Sequence, residues 1–191
     1  MDRRTSGEQA ADVIRREILL GRIGDREELN QVELANTLGI SRMPVRDALK
    51  QLENECFIER LGNRHTRVIG VTDQGRISRY RLLAALETEA ALCISPIQLE
   101  QIRKAFGETA MYSKLQRHVY LLNAIFEHCT DRFLAQVYRR LFMAFVSVDF
   151  EQNCAYLSDA AAEAVLEAVR NREEHAIRAA VAAYYKPLMA R

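Results

Sequence analysis

The chain has 191 residues, of which 49% are hydrophobic and 28% are charged, so it is long enough for one large globular domain or two small ones. Its 27 Lys and Arg against 26 Asp and Glu leave a net charge of +1, which says little about partners because nucleic-acid binders can carry a local basic patch on a neutral body. No apolar run approaches the roughly 18 residues that a membrane helix requires, so we exclude an integral membrane protein and expect a cytoplasmic one.

The four cysteines lie far apart along the chain and form no CxxC pair. They are Cys56, Cys93, Cys129 and Cys154. This spacing indicates neither a zinc ribbon nor a disulfide framework. We expect reduced thiols, most of them packed against other side chains, rather than a redox site.

Helix-start signatures divide the first part of the chain. In these signatures a hydroxyl or amide side chain is followed three positions later by Glu or Gln, so that the two side chains satisfy free backbone N–H groups reciprocally. Ser6 with Gln9 and Asn30 with Glu33 form two signatures, and Ser41 is a further helix cap. They predict helices over residues 6–20, 30–39 and 41–54, the second of which ends at a glycine that favours the left-handed turn conformation.

The segment CFIERLGNRHTRVIGV lacks the helical periodicity of the residues before it. Two short β-rich runs, Phe57-Ile58 and residues 68–71, flank a Gly-Asn turn, and this pattern predicts a small β-hairpin. Two helices joined by a turn at Gly39 and followed by a hairpin have the order of a winged helix-turn-helix. We therefore predict that residues 1–73 form a winged helix-turn-helix with three helices and a β-hairpin wing.

The rest of the chain has helical periodicity throughout. Apolar residues recur at spacings of three and four, as in Leu82, Leu83, Leu86 and Ala90, so each helix buries one stripe against its neighbours. Six helix starts are predicted, at Ser78, Ser95, Ser113, Thr130, Ser158 and Asn171. The chain therefore divides near residue 74, and residues 76–191 are predicted to form an antiparallel six-helix bundle in a mostly α protein.

The helix that follows Ser41 has an apolar face and a cationic one. Its apolar residues Val45, Ala48, Leu49 and Leu52 share one side, which leaves the cations on the other side and at the first turn. Residues there enter a major groove when a recognition helix docks by its N-terminal end. The candidate DNA-binding residues on this helix are Ser41, Arg42, Met43, Pro44, Arg46 and Lys50.

Each residue type on this helix suits contact with DNA. An arginine fork can bind a phosphate or the O6/N7 edge of guanine with two hydrogen bonds. Ser41 adds a hydroxyl beside the free N–H groups of the first turn, and Pro44 is tolerated because those N–H groups have no intrahelical partner. The hairpin adds a polar, cationic tip with Arg64, His65 and Thr66. The alternative is a solvated charged face with no role in binding.

The segment LNQVELANTLGISRMPVRDALKQLENECFIERLGNRHTRV resembles the DNA-binding domain of the GntR family of bacterial transcription regulators. The usual sequence motif of that family is close to SR-x-PVR-x-AL-x-x-L-x-x-x-G. Three residues depart from the family pattern: Met43 replaces a common Thr, Cys56 replaces a usual Gly, and His65 replaces a wing-tip Gly. The helical second half is similar to the ligand-sensing FCD domain of the FadR/VanR branch. The resemblance implies a DNA-binding domain followed by an effector-binding and dimerisation domain.

In the resembled domain, one Asp and three His on three helices commonly hold a divalent metal such as zinc. The corresponding positions are Asn123, Glu127, Ala162 and Tyr184, and none matches. An arginine that often holds a carboxylate effector falls on Leu83. We therefore expect no metal and no cofactor, and a more apolar pocket for a neutral or partly hydrophobic effector. The candidate effector-binding residues are Asn123, Phe126, Glu127 and Tyr184.

These patterns predict a homodimeric transcription regulator that binds a near-palindromic double-stranded operator and senses a small molecule. One alternative is a regulator without a ligand, whose bundle only dimerises. A second alternative is an all-α enzyme that uses Glu127 or His128 as a base. No nucleophile, base and orienting group come together in the sequence, and no phosphate loop or HExxH motif is present, so an enzyme is not expected.

Overall fold

Ten α-helices and three short strands lie within the residues that the computed structural model describes, which are 5–61, 65–70, 72–142 and 146–190. The chain divides into two compact units, Met1–Thr72 and Asp73–Arg191. None of the helices in the described ranges is both long enough and apolar enough to cross a membrane. The predicted fold class is confirmed: the chain is mostly α, with a winged helix-turn-helix before a helical second half.

Three helices form most of the first unit. They are α1 (Ser6–Leu19), α2 (Gln31–Leu38) and α3 (Arg42–Asn54). The side chain of Asn30 caps α2 as predicted, and Gly39 ends it in the left-handed conformation with φ of 65°. The predicted cap of α1 is wrong by one residue, because Thr5 and Glu8 form the capping box instead of Ser6 and Gln9.

The core of the first unit lies between α1 and α3. Ile14 and Ile18 of α1 are fully buried. On α3 the predicted apolar face is confirmed, since Val45, Ala48, Leu49 and Leu52 are all buried. Burial of this face fixes the rotation of α3 about its axis, and so fixes which of its residues face water.

A three-stranded antiparallel sheet follows, with β1 (Glu28–Leu29), β2 (Ile58–Arg60) and β3 (Thr66–Val68) in the order β1-β3-β2. The hairpin of β2 and β3 was predicted, whereas β1 was not. Two residues are too few to show the alternation that marks a strand in sequence. The predicted Gly-Asn turn at residues 62–63 and Val71 lie outside the described residues.

Two backbone positions hold the wing and the end of α3. A side chain at Gly70 would bring its Cβ within 2.4 Å of the Asp25 Cβ, and the Gly70 N–H donates a 2.8 Å hydrogen bond to the Asp25 carboxylate. Cys56, just beyond α3, adopts a left-handed conformation with φ of 61°. Side chains rarely occupy that region because Cβ approaches the following carbonyl oxygen.

The second unit contains seven α-helices in its described residues, where six were predicted. They are α4 (Asp73–Leu92), α5 (Pro96–Glu108), α6 (Lys114–Glu127), α7 (Arg132–Leu141), α8 (Ser147–Asn153), α9 (Asp159–Asn171) and α10 (Glu174–Met189). The stretch predicted as one helix from Thr130 comprises α7 and α8. Capping boxes at Ser95 and Ser113 begin α5 and α6 as predicted.

Three of the predicted helix starts in the second unit are wrong. Asp131 rather than Thr130 caps α7, and α10 is preceded by Glu173 rather than Asn171. α4 begins at Asp73, five residues before the predicted Ser78. A tertiary contact supports this early start, because the buried Arg76 guanidinium donates to the Leu188 carbonyl at the end of α10.

Candidate nucleic-acid interface

The cations of α3 form an exposed row that starts at its N-terminus. Arg42, Arg46 and Lys50 are all exposed, and their spacing of four places them along one side of the helix. None of the three side chains makes an ion pair or a hydrogen bond with any residue in the described part of the chain. Their charges are therefore available to an anionic partner.

The first turn of α3 adds neutral groups to this row. Ser41 occupies the N-cap position, but its hydroxyl makes no capping hydrogen bond, so it is free to bind another acceptor or donor. Met43 is 56% exposed, whereas Pro44 is half-buried. Because the first N–H groups of a helix have no intrahelical acceptor, the helix start adds backbone donors and a partial positive charge beside Arg42.

Two open grooves flank this row of side chains. The larger, about 490 Å³, is lined by residues 28–33 together with Arg42, His65 and Thr66. The smaller, about 270 Å³, is bordered by Arg46, Lys50 and Arg60 among others. The surface beside α3 is therefore concave and carries polar groups on both sides of the helix.

The wing carries basic side chains too, but carboxylates lie beside them. The His65 ring nitrogen lies 2.7 Å from a Glu28 carboxylate oxygen, and Arg67 donates to Glu59. His65 is exposed, as a predicted DNA-contact residue should be, whereas Thr66 is buried and lines both grooves. Arg64, also predicted to contact DNA, lies outside the described residues.

The predicted effector-binding residues do not come together. Phe126 and Tyr184 are buried in the core of the second unit, whereas Asn123 and Glu127 are exposed on the outer face of α6. A step of roughly 100° per residue explains this separation. The side of α6 that faces the core includes His118, Leu121, Leu122 and Ile125. Asn123 and Glu127, which the family motif indicates, lie on the opposite side of this helix.

Buried polar pairs occupy the core instead, and sequence reasoning missed them. His118 is fully buried, and its Nδ1 lies 2.8 Å from the Tyr184 hydroxyl. The Tyr185 hydroxyl donates a 2.6 Å hydrogen bond to the carboxylate of the fully buried Glu87. The partners lie on different helices, so no local sequence pattern reveals them. The sequence does show that Glu87 lies among the regularly spaced apolar residues of α4, which is a sign of a buried carboxylate.

Burial shifts the protonation of these groups. It raises the pKa of Glu87 to about 7, although the hydrogen bond from Tyr185 acts in the opposite direction. Burial lowers the pKa of His118 to about 4, against the attraction of Asp159, whose carboxylate lies 3.4 Å from the His118 Nε2. Both groups are therefore held toward their neutral forms, as expected where little water can solvate a charge.

The second unit does not fit the metal site that the family resemblance suggests. Ala162 is buried and offers no donor atom, and Tyr184 shares its hydroxyl with His118. Among the described residues, no three side chains of His, Cys, Asp or Glu are grouped so that they could hold a metal ion. The buried polar groups described above include two hydrogen-bonded pairs of protein side chains, His118 with Tyr184 and Glu87 with Tyr185.

Residues 6–68 match the family model for bacterial regulatory proteins of the gntR family. Among solved structures, the chain is similar to E. coli McbR/YncC, with 16% identity, 98% of this chain and 96% of that one covered, and a TM-score of 0.59.

Two further structures share the fold. Lar from Listeria monocytogenes, which controls expression of the agr system and mediates virulence, has 11% identity, 100% and 97% coverage and a TM-score of 0.62. A GntR-family transcriptional regulator from Pseudomonas syringae pv. tomato has 19% identity, 97% and 83% coverage and a TM-score of 0.51. Identities this low show a shared fold alone, and no curated protein matches the chain. The matched residues 6–68 contain the winged helix-turn-helix, so this part of the chain is similar to the DNA-binding domain of gntR-family regulatory proteins.

Proposed function

We propose that the protein is a homodimeric, sequence-specific regulator in which α3 reads the major groove of a near-palindromic operator. One observation carries the proposal: Arg42, Arg46 and Lys50 form an exposed row without a partner in the described chain, beside the open N-terminus of α3. An arginine fork can bind a guanine edge with two hydrogen bonds, whereas lysine suits a phosphate. Residues 1–73 are the DNA-binding domain, with His65 and the wing against the backbone or the minor groove.

Residues 76–191 form the dimerisation and effector-binding domain in this proposal, as an FCD-like domain without the usual metal. Two copies of α3 then enter successive major grooves, roughly 34 Å apart. An effector changes DNA binding if it binds with different affinity to the arrangements in which this spacing fits or fails. A protein that acts on the chromosome in this way works in the cytoplasm.

Unpaired polar atoms in the core support a small-molecule effector. Glu87 Oε1 and the Tyr138 hydroxyl are buried, and neither has a hydrogen-bond partner among the described residues. Buried polar groups in folded proteins nearly always have a partner, which can be protein, water or ligand. An effector with a hydrogen-bonding group could satisfy both atoms. Thermal shifts across a panel of metabolites test this part, because a ligand that binds the folded state raises its stability.

The DNA-binding part is tested by the substitution Arg46→Ala. Duplexes selected by the native protein from a random pool provide the operator, and fluorescence anisotropy measures affinity at several salt concentrations. We expect affinity to fall roughly 10- to 100-fold and the slope of log affinity against log salt to flatten by up to about 1, depending on whether Arg46 contacts a base or a phosphate. Arg170→Ala is the matched control, because Arg170 is an exposed arginine of the second unit that pairs with Glu167. An unchanged affinity for Arg46→Ala would refute the docking of α3.

A further inference from the structure

Two cysteines that are distant in sequence meet in the second unit. Cys93 immediately follows α4, and Cys129 lies two residues beyond the end of α6. The Cys129 thiol lies near enough to the Cys93 side chain to interact with it electrostatically. Cys93 is exposed and Cys129 is half-buried, so one thiol is accessible to solvent while the other lies partly behind it. Both are free thiols.

Neighbouring groups hold the two cysteine-bearing segments side by side. The Gln98 side chain, in the first turn of α5, lies 3.5 Å from the backbone carbonyl of His128 and donates a hydrogen bond to it. The Cys93 thiol also donates to the Glu89 carbonyl, and the Cys129 thiol donates to the Asp131 carbonyl. The Gln98 side chain also accepts a hydrogen bond from the Ser95 N–H, two residues beyond Cys93, so it holds the backbone after α4 beside the end of α6.

We propose that Cys93 and Cys129 are a peroxide-responsive thiol pair that closes into a reversible disulfide. The thiolate of Cys93 attacks one oxygen of hydrogen peroxide, the O–O bond breaks, and water leaves, so that Cys93 becomes a sulfenic acid. The sulfur of Cys129 then attacks the Cys93 sulfur, the S–O bond breaks, and a second water leaves. In total, two thiols and one peroxide give one disulfide and two waters.

The two positions suit different steps. The first step needs a thiolate that peroxide can reach, and Cys93 is the exposed member of the pair. The second step needs a nearby thiol that is less open to peroxide, and Cys129 is the half-buried member of the pair. Burial raises the pKa of Cys129, so this thiol is a poor first target for peroxide and reacts after its neighbour has been oxidised. This inference concerns the second unit alone and stands apart from DNA binding.

Closing the disulfide should stabilise the second unit. A cross-link between Cys93 and Cys129 closes a loop of a few tens of residues, which removes conformations from the unfolded chain. We expect the melting temperature of the oxidised protein to rise by several degrees above that of the reduced protein, and to return when dithiothreitol is added.

The experiment treats the full-length protein with one equivalent of hydrogen peroxide, blocks the remaining thiols and maps the cysteines by tryptic mass spectrometry. Trypsin separates the pair, because Arg103 and Lys104 lie between Cys93 and Cys129. We expect one cross-linked peptide that joins Cys93 to Cys129, with a loss of two thiols that dithiothreitol reverses. In Cys129→Ser we expect no cross-link and a sulfenic acid on Cys93 that dimedone traps.

Cys56→Ser and Cys154→Ser are the matched controls, and both should keep the cross-link. The proposal is overturned if the native protein forms no peptide that joins Cys93 to Cys129. It is also overturned if that peptide is no more abundant than cross-links to Cys56 or Cys154. A sulfenic acid on Cys129 rather than Cys93 would reverse the assigned order of the two steps and would count equally against it.

Discussion

The row of cations on α3 and the buried polar pairs of the second unit are opposite in their exposure and pairing. The first unit keeps Arg42, Arg46 and Lys50 in water, without a partner in the described chain. The second unit buries Glu87 and His118 and pairs them with tyrosines from another helix. An exposed cation costs little to maintain and attracts a polyanion from solution. A buried ionisable group is costly to charge, so it responds to protons and to polar molecules inside the protein.

This difference assigns separate observables to the two units. Changes to the α3 row should appear as affinity for DNA and its salt dependence, with little change in stability. Changes to the buried pairs should appear as stability and its pH dependence, with little change in the affinity of ligand-free protein for DNA. A substitution that affected both observables would show that the contrast between the units is incomplete.

The largest expected effect is on the pH dependence of unfolding. The pKa of Glu87 is raised from 4.5 to about 7 in the folded protein, so its contribution to stability falls as pH rises between those values. The pKa of His118 is lowered from 6.5 to about 4, so its contribution rises with pH over that range. Between about pH 4.5 and 6.5 the falling contribution of Glu87 and the rising contribution of His118 oppose each other. Of these two groups, Glu87 alone, in its charged form, still lowers the stability above pH 7.

Replacing Glu87 with glutamine tests this balance. We expect Glu87→Gln to stabilise the second unit at pH 8 by roughly 3 kcal/mol, since a tenfold change in proton affinity corresponds to about 1.4 kcal/mol. Its stability at pH 5 should remain close to that of the native protein. Urea denaturation at the two pH values measures the difference. Equal effects at pH 5 and pH 8 would mean that Glu87 does not titrate differently on folding.

Tyr184→Phe should have an intermediate effect, on stability only. The change removes the hydroxyl 2.8 Å from His118 Nδ1 and leaves a buried nitrogen without its partner. The free energy of unfolding should fall by about 1 to 3 kcal/mol, while ligand-free affinity for DNA stays the same. Tyr112→Phe is the control, because Tyr112 is 58% exposed. Weaker DNA binding by folded Tyr184→Phe protein would contradict the separation of roles.

The smallest expected effect concerns the wing, where a carboxylate already holds a cation. Glu59→Gln weakens the pairing with Arg67 and removes a negative charge from the candidate DNA-facing surface. Exposed ion pairs contribute only about 0 to 1 kcal/mol, so we expect DNA affinity to rise by a factor of about 2 to 3 at low salt and by less at high salt. Anisotropy titrations at two salt concentrations measure this change, and Glu100→Gln on the exposed side of α5 serves as the control. Weaker binding would show that Glu59 orients Arg67 for DNA.

Local chemistry allowed much of the fold to be predicted. The caps at Asn30, Ser95 and Ser113 depend on residues within one helical turn, and the structure confirms all three. The apolar face of α3 was predictable for the same reason. At α1, by contrast, Thr5 with Glu8 and Ser6 with Gln9 both satisfy the capping pattern, and sequence alone did not distinguish them.

Features that depend on distant contacts could not be predicted. The start of α4 is tied to Leu188 through Arg76, and β1 exists because it pairs with β3 across more than thirty intervening residues. The buried pairs join residues on different helices, and the adjoining cysteines arise from the ends of two helices. The exposure of Asn123 and Glu127 was not foreseen, because a shift of two positions moves a side chain by roughly 200° around a helix.

The left-handed backbone at Cys56 has a consequence for how the protein could be improved. A side chain in that conformation costs about 1 kcal/mol or more, and the family resemblance places glycine at this position. Glycine normally loosens a chain, but here it would relieve strain at a point where the helix has already ended. Replacing the exposed Cys56 with glycine should therefore raise the free energy of unfolding, although it adds no contact to the folded protein.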